Sequence, residues 1–401
     1  MLTDEQIEKY ADVMIWGLKK ARSKKFKKGD IIALRYDGSG EKLAEAIHRK
    51  LLKWGMNPLV KRLINETMEK DSYDLSTIKQ LTFIGPWEEK YFESINGNIV
   101  ILAPDDLTHL KDVDPSKLGK VATSRKFLRN ICEKNDREGL FGWTLCMYPT
   151  KELAKKAKMS LKKYIDQVIK ACYLDKEDPV AEWENLFKEA NKIKKFLNRI
   201  TKNTEYFRVA SANTNLIITP GENRKWIGVS GHNIPSFELF ISPDWRGTEG
   251  IYHANIPTFK SGNYVEGVTL TFNKGRAVKI EAKKGEKFTK SQLKMDEGAC
   301  QIGEFSLTDV RFSPIDAFMA DILYDENFGG EYGNCHIAVG DSYSDTYAGD
   351  QSTLTERKKK ELGFNDSSLH WDLINGENKV VTAHLKNGKT KVIYENGQFT
   401  A

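Results

Sequence analysis

Residues 30–54 read DIIALRYDGSGEKLAEAIHRKLLKW, and this stretch decides the fold of the first half of the chain. Residues 30–36 form a short apolar run of the kind that makes a buried strand, and the run stops at the turn cluster 37–40. The period then changes. Leu43, Ala44, Ile47, Leu51 and Leu52 recur at helical spacing and predict one buried face over Glu41–Trp54. Residues 58–63 read as a second strand. Residues 80–84, 98–102 and 143–148 are further strand-like runs, with a helix expected between the first two. Strands alternating with helices imply a parallel sheet covered by helices. The turn DGSGEKL lacks the full GxGxxG pattern, so no dinucleotide site is expected. Ser39 is a candidate N-cap for the helix that follows.

Residues 151–201 are almost wholly helical in pattern. The segment 181–200 is amphipathic, with Trp183, Leu186, Ala190, Ile193 and Phe196 on its apolar side. It is expected to bridge to a second domain, with the boundary near residue 200. Beyond it, short β-type runs recur at 207–211, 215–218, 238–241, 264–272, 276–282, 379–384 and 391–394. Asn273-Lys274-Gly275, Asn387-Gly388 and Asn396-Gly397 punctuate them, and Asn-Gly between strands is a hairpin signal. The second half therefore reads as a largely antiparallel α+β domain.

Composition narrows the function. Of 401 residues, 40% are hydrophobic and 29% charged, a balance that supports real cores. The net charge is +6 and the lysines are scattered, with short runs at 19–28 and 358–360. No basic stripe interleaved with aromatics marks a nucleic-acid groove. The five cysteines are odd in number and contain no CxxC, which argues against a disulfide framework and a thiolate zinc site. The N-terminus has an amphipathic, charged pattern rather than a signal peptide. No run approaches the ~18 apolar residues of a membrane span. A cytoplasmic protein without membrane or nucleic-acid partners is expected.

Chemistry concentrates in the second half. Of seven histidines, His336 enters an apolar run in NCHIAVG (334–340), just after a glycine-rich loop. His370 lies two residues before Asp372 in NDSSLHWDL (365–373), and on a strand such residues share a face. Glu238, flanked by Leu239 and Phe240, and Glu304, between Ile302 and Phe305, are carboxylates inside apolar runs. Charged residues are rarely buried unless paired or bound to metal. Taken singly, each is equally compatible with a strand whose Glu faces water. Together they supply two imidazoles and three carboxylates. Such a set without thiolate suits zinc, manganese or cobalt and is about what a two-metal hydrolytic site needs. His232 and His253 are candidates for orienting a ligand carboxylate. His48, His109 and His384 have no supporting context.

These segments resemble the thermophilic metalloaminopeptidase family typified by aminopeptidase T and aminopeptidase S. The family motif N-x-P-[TS]-x-E-x-F stands here as Asn233-Ile-Pro-Ser-Phe-Glu238-Leu-Phe240, with Phe237 where an acidic residue is usual. Asp296-Glu-Gly-Ala-Cys-Gln-Ile-Gly-Glu304 matches the DEGAxxxGE segment. Leu323–Asn327 matches LxDEN, Cys335–Gly340 matches CHIAxG, and Asn365–Asp372 matches N-D-S-x-x-H-x-D. The loop 329–334 is longer than in typical members. Tyr343 follows His336 by seven residues, as in the family. The resemblance is strongest over residues 226–401.

It implies an exopeptidase that removes N-terminal amino acids from peptides, and a homodimer. It implies a Rossmann-like domain over 1–200 and a catalytic domain over 201–401. It also implies two divalent metal ions (Zn, Co, Mn or Mg) on Glu238, Glu304, His336, His370 and Asp372. Glu304 or Asp372 would bridge them, and Tyr343 would stabilise the oxyanion. Two alternatives stay open: an Fe(II)-dependent ring-cleaving dioxygenase of the dihydroxypyridine type on the same fold, and a non-catalytic metal-stabilised peptide-binding protein.

Overall fold

The computed structural model describes all 401 residues. The chain divides into two compact units. One comprises Met1–Phe187, Val229–Ser236 and Met319–Leu323; the other comprises the remainder.

The first unit is built on a five-stranded parallel sheet, as the alternation of strand and helix predicts. Its strands are β1 (Ile31–Tyr36), β2 (Asn57–Arg62), β3 (Gly97–Leu102), β4 (Gly142–Met147) and the two-residue strand Asn233–Ile234. They lie in the order β2-β1-β3-β4, with Asn233–Ile234 beside β4. Helix Glu41–Trp54 buries Leu43, Ala44, Ala46, Ile47 and Leu51. Leu52 is exposed instead: nine residues after Leu43 it has turned about 180° around the helix. Ser39 does not cap this helix. Gly40 occupies the N-cap, and the Ser39 hydroxyl bonds the Asp105 carboxylate at 2.9 Å.

Residues 80–84 do not form a strand. Residues 78–81 are a short helix, started by a capping box in which Thr77 and Gln80 satisfy each other's backbone N–H groups. That local pair of hydrogen bonds outweighs the strand-like composition.

Helix Pro179–Thr201 confirms the expected bridging segment as helical. Trp183, Leu186, Ala190, Ile193 and Leu197 are buried along it, so Leu197 replaces Phe196 on the inner stripe. Trp226 is tied to its end by Asn198 Oδ1, 2.6 Å from the Trp226 N–H, and by Thr201 Oγ1, 2.9 Å from the indole N–H.

The second unit holds two antiparallel sheets, in line with the α+β expectation. With Asn233–Ile234 as β7, its strands are β5 (Thr204–Ala210), β6 (Asn215–Ile218), β8 (Glu238–Ile241), β9 (Glu249–Ala254), β10 (Thr258–Lys260), β11 (Asn263–Asn273), β12 (Arg276–Lys284), β13 (Ile302–Thr308), β14 (Asn334–Gly340), β15 (His370–Asn375), β16 (Val380–Leu385), β17 (Thr390–Glu395) and β18 (Gln398–Phe399). Nine strands make one sheet, ordered β10-β11-β9-β6-β5-β16-β17-β18 with β12 on β11. The three Asn/Gly turns connect β11 to β12, β16 to β17 and β17 to β18, as expected of hairpins.

The other sheet has four strands in the order β15-β14-β13-β8. One of its faces is apolar: Leu239, Ile241, Phe305, Leu307, Ile337, Val339, Trp371 and Leu373 are all buried. This face packs on the nine-stranded sheet. The Phe305 ring centroid lies 5.7 Å from Trp226 and 6.3 Å from Phe207 of β5. The single proton of the Tyr252 hydroxyl on β9 is shared between the carbonyls of Leu373 (2.7 Å) and Cys335 (3.0 Å).

The pairing of β13 with β14 carries an irregularity between Ile302 and Glu304. Gly303 sits in it, and a Cβ there would collide with the backbone oxygens of Gly340 and Asp341. Only glycine lets the strands approach this closely. Gly303→Ala is therefore expected to cost about 1–3 kcal/mol of stability by overpacking. Urea unfolding of the variant beside the parent protein measures it.

Candidate metal centre

The opposite face of the four-stranded sheet is polar and almost wholly buried. Period-two alternation puts Glu238 of β8, Glu304 and Ser306 of β13, His336 and Ala338 of β14, and His370 and Asp372 of β15 on this one face. Glu304, Ala338 and Asp372 occupy one cross-strand row. Between its two acids stands only a methyl group, which leaves room for what the acids face. All five sequence-predicted ligands thus come together.

His336 is the centre of the group. Its Nε2 lies 3.1 Å from Glu238 Oε2, 3.1 Å from Glu304 Oε1 and 3.9 Å from Asp372 Oδ1. Ligand atoms of Glu238, Glu304 and His336 all fall within 4.8 Å of one another. His370 Nε2 approaches Asp372 Oδ1 at 3.4 Å and the second oxygen of Glu304 at 3.8 Å. The donor set fits a divalent cation. Three buried carboxylates converge on imidazole nitrogens, and the buried His336 Nδ1 has no hydrogen-bond partner. His336 is thus oriented by the acids around its Nε2 alone. The donors are oxygen and nitrogen without sulfur. The five cysteines are free thiols and none belongs to the group.

The ligands are held from behind. Ser306 Oγ donates to Glu238 Oε2 at 2.7 Å. His370 Nδ1 lies 3.0 Å from the Asp341 carbonyl, an acceptor that places the proton on Nδ1 and turns Nε2 toward the acids. The Asp296 carboxylate accepts from the Ser367 hydroxyl and the Ser368 N–H, both at 2.7 Å, and so fixes the approach to His370. Asn365 binds the carbonyls of Gly298 and Gly340 and ties that approach to the end of β14. The roles of Asp296 and Asn365 were visible in the sequence only as motif letters; their work is to clamp backbone. Asn327 Oδ1 accepts the Phe237 N–H at 2.5 Å, just before Glu238. Phe237, in the usual acidic position, is fully buried and apolar.

Burial and charge act against each other here. Burial, with the nearby Glu238, pushes the Glu304 carboxyl up to about 7, while the two imidazoles pull it back. Burial lowers His370, but Asp372 and Glu304 outweigh it and raise its pKa to about 9. His336 is likewise raised well above its usual value: Glu238 and Glu304 overcome its burial. Asp372 resists burial and falls below the carboxylate range because of His370, His336 and Lys260.

Two further groups belong to this environment and were not singled out in the sequence. Glu326 is buried, and burial together with Glu238, Asp372 and Glu304 raises its pKa well above the usual value. It lay inside the LxDEN segment, where no alternation marked it. Lys260, one of 62 basic residues, had no signal at all. Tyr343 is where the sequence suggested. Its ring packs against His370 (4.9 Å) and Phe240 (5.6 Å). Burial and the four surrounding acids keep its hydroxyl protonated. His232 and His253 orient none of the ligands. The ring of His232 bonds Ser230 Oγ and lies against Trp143. That of His253 bonds Thr269 Oγ1.

Comparison with known proteins places the chain among metal-dependent proteases. The model of the family described as thermophilic metalloprotease (M29) matches residues 3–399. Aminopeptidase PepS of Streptococcus thermophilus is 24% identical over 419 residues, covering 98% of each chain. Aminopeptidase AmpS of Bacillus subtilis is 26% identical over 362 residues, covering 84% of this chain and 85% of its own. The solved structure of wild-type AmpT from Thermus thermophilus superposes with a TM-score of 0.76 at 21% identity, over 99% of both chains. That likeness establishes the same fold.

The protonation pattern sets a pH dependence. Metal ligation needs neutral imidazole and ionised carboxylate. Without metal, Glu304 holds its proton up to about pH 7 and His370 up to about pH 9. Cations must displace these protons, so affinity is expected to rise from pH 6 to 9, with proton release on binding. Calorimetric titration of chelated protein with Zn²⁺, in two buffers of different ionisation enthalpy, reads both.

Proposed function

The chain belongs to the thermophilic metalloprotease family M29, and on that basis we propose that it is an aminopeptidase that removes N-terminal residues from peptides with two divalent cations. One observation carries the two-metal reading. The two oxygens of Glu304 face different imidazoles, Oε1 toward His336 and Oε2 toward His370. A carboxylate so divided is suited to bridge, with Glu238 and His336 on one side and His370 and Asp372 on the other. In this reading Glu304, rather than Asp372, would be the ligand the two cations share.

Divalent cations held there would polarise the scissile carbonyl and lower the pKa of a bound water toward neutrality. The rest of the work falls to the chain. Ser306 and the Asp341 carbonyl hold Glu238 and His370 in place. Tyr343 keeps its phenolic proton and presents a donor to the oxygen that gains charge as the carbonyl is attacked. Peptides are the substrates in this reading. The cytoplasmic location and the homodimer expected from the sequence belong to the same proposal, and a doubled mass in solution is the outcome that agrees with the latter.

Chelated protein is expected to be inactive on aminoacyl-p-nitroanilides and to regain release with Zn, Co, Mn or Mg. Glu304→Ala or His370→Ala should abolish turnover with circular dichroism unchanged; full activity in either would refute the ligand set. In the same assay Tyr343→Phe should lower kcat roughly 10²–10³-fold at little change in KM; a wild-type kcat would remove it from the mechanism. Oxygen uptake with Fe(II) and a dihydroxypyridine is expected to be nil, against the ring-cleaving alternative.

A further inference from the structure

Lys260 ends β10, which joins β11 through a two-residue turn, Ser261–Gly262. Both turn residues have positive φ, 46° and 76°, the requirement of the tight hairpin whose twist matches its strands. Lys260 pairs with Asn263 across the turn, so its backbone position is set by the hairpin. The side chain is half-buried and runs toward the metal centre, where Nζ donates to the His370 carbonyl at 2.7 Å. Asp372, two residues further along the same face of β15, is near enough for its charge to act on the ammonium. No carboxylate comes within ion-pair distance of it.

An ammonium has three N–H donors, and one of them meets a protein acceptor, the His370 carbonyl. The half-buried position leaves the other two N–H groups free to meet a ligand that enters the centre. The only other cationic side chains of the cluster are the two imidazoles, and their Nε2 atoms are committed to the acids. Lys260 is thus the one positive group beside the centre with donors to spare.

Resting on the aminopeptidase reading, we propose that Lys260 binds an anionic oxygen of the peptide on the His370–Asp372 side of the centre. A peptide offers two such oxygens: the C-terminal carboxylate of a short substrate, and the oxygen that becomes negative when the carbonyl turns tetrahedral. Both ask for the same donor, and the ammonium favours either over a neutral amide by a charge-assisted hydrogen bond. If the carboxylate is the partner, di- and tripeptides are the preferred substrates.

The test compares metal-loaded wild type with Lys260→Met and Lys260→Arg. Binding is measured by calorimetry for three probes: a dipeptide phosphinate with an amidated C-terminus, a dipeptide free acid whose scissile amide is N-methylated, and the amide of that blocked dipeptide. Zn²⁺ stoichiometry of the chelated proteins is measured alongside. Lys260→Met is expected to keep its metal and its affinity for the neutral amide within about twofold. It should lose roughly tenfold or more for at least one anionic probe, with partial recovery in Lys260→Arg. Loss on the phosphinate alone assigns the tetrahedral oxygen; loss on the free acid alone assigns the carboxylate. Equal affinity for all probes, equal loss on neutral and anionic probes, or loss of metal overturns the proposal. In the last two cases Lys260 only steadies β15. Wild type that neither binds the probes nor cleaves any peptide overturns the aminopeptidase reading itself, and this proposal with it.

Discussion

Three carboxylates buried on one face of a four-stranded sheet are the constraint on which the second unit depends. Glu238, Glu304 and Asp372 are all nearly inaccessible to water. Isolated buried carboxylates would cost several kcal/mol each. The chain brings them together and sets two imidazoles among them, so the acids share positive partners. Even so, the compensation is incomplete. Glu304 is held near neutrality in its titration, and Glu326 well above its usual value, because burial and mutual repulsion exceed what the imidazoles supply. A cluster left this acidic is built for additional positive charge, and divalent cations supply it in the most compact form.

The sheet can carry such a face because its other face is a conventional core. Phe305, Leu307, Ile337, Val339, Trp371 and Leu373 pack against the nine-stranded sheet. Alternation along each strand turns every second residue to the acids. A slip of one residue in any strand would exchange a ligand for a core side chain. Register is therefore as important as residue identity. The Gly303 irregularity, the Tyr252 hydroxyl bridging two strand carbonyls and the Asn365 side chain at the end of β14 all hold it.

What was legible in the sequence follows from this. The members of the cluster were readable because an acid or histidine inside an apolar run demands a reason, and because His370 and Asp372 keep strand spacing. The parallel sheet of the first unit was readable from the change of period at Asp37–Gly40, and the hairpins from their Asn/Gly turns. Other elements were not. Helix Pro115–Arg137 buries only Leu118, Gly119 and Leu128, so it has almost no apolar stripe to find. Residues 80–84 looked like a strand because composition hid the Thr77–Gln80 capping box of helix 78–81. Strand β7 is two residues long, too short for any periodic signal.

Lys260 shows a different kind of illegibility. Nothing distinguishes it in sequence from the other lysines, and it joins the centre only because a two-residue hairpin places it beside the first residue of β15. Ligands can be inferred from chemistry that looks wrong for its surroundings. A residue that acts through its position looks right everywhere and is revealed only by its neighbours. The same holds for Asp296 and Asn365. Asn365 binds carbonyls and Asp296 accepts from a hydroxyl and an N–H, so they could be recognised only as members of a motif. In this unit the groups that hold the cluster in place are as many as its members. Most of them work by fixing main-chain atoms, which no pattern of hydrophobic and charged residues records.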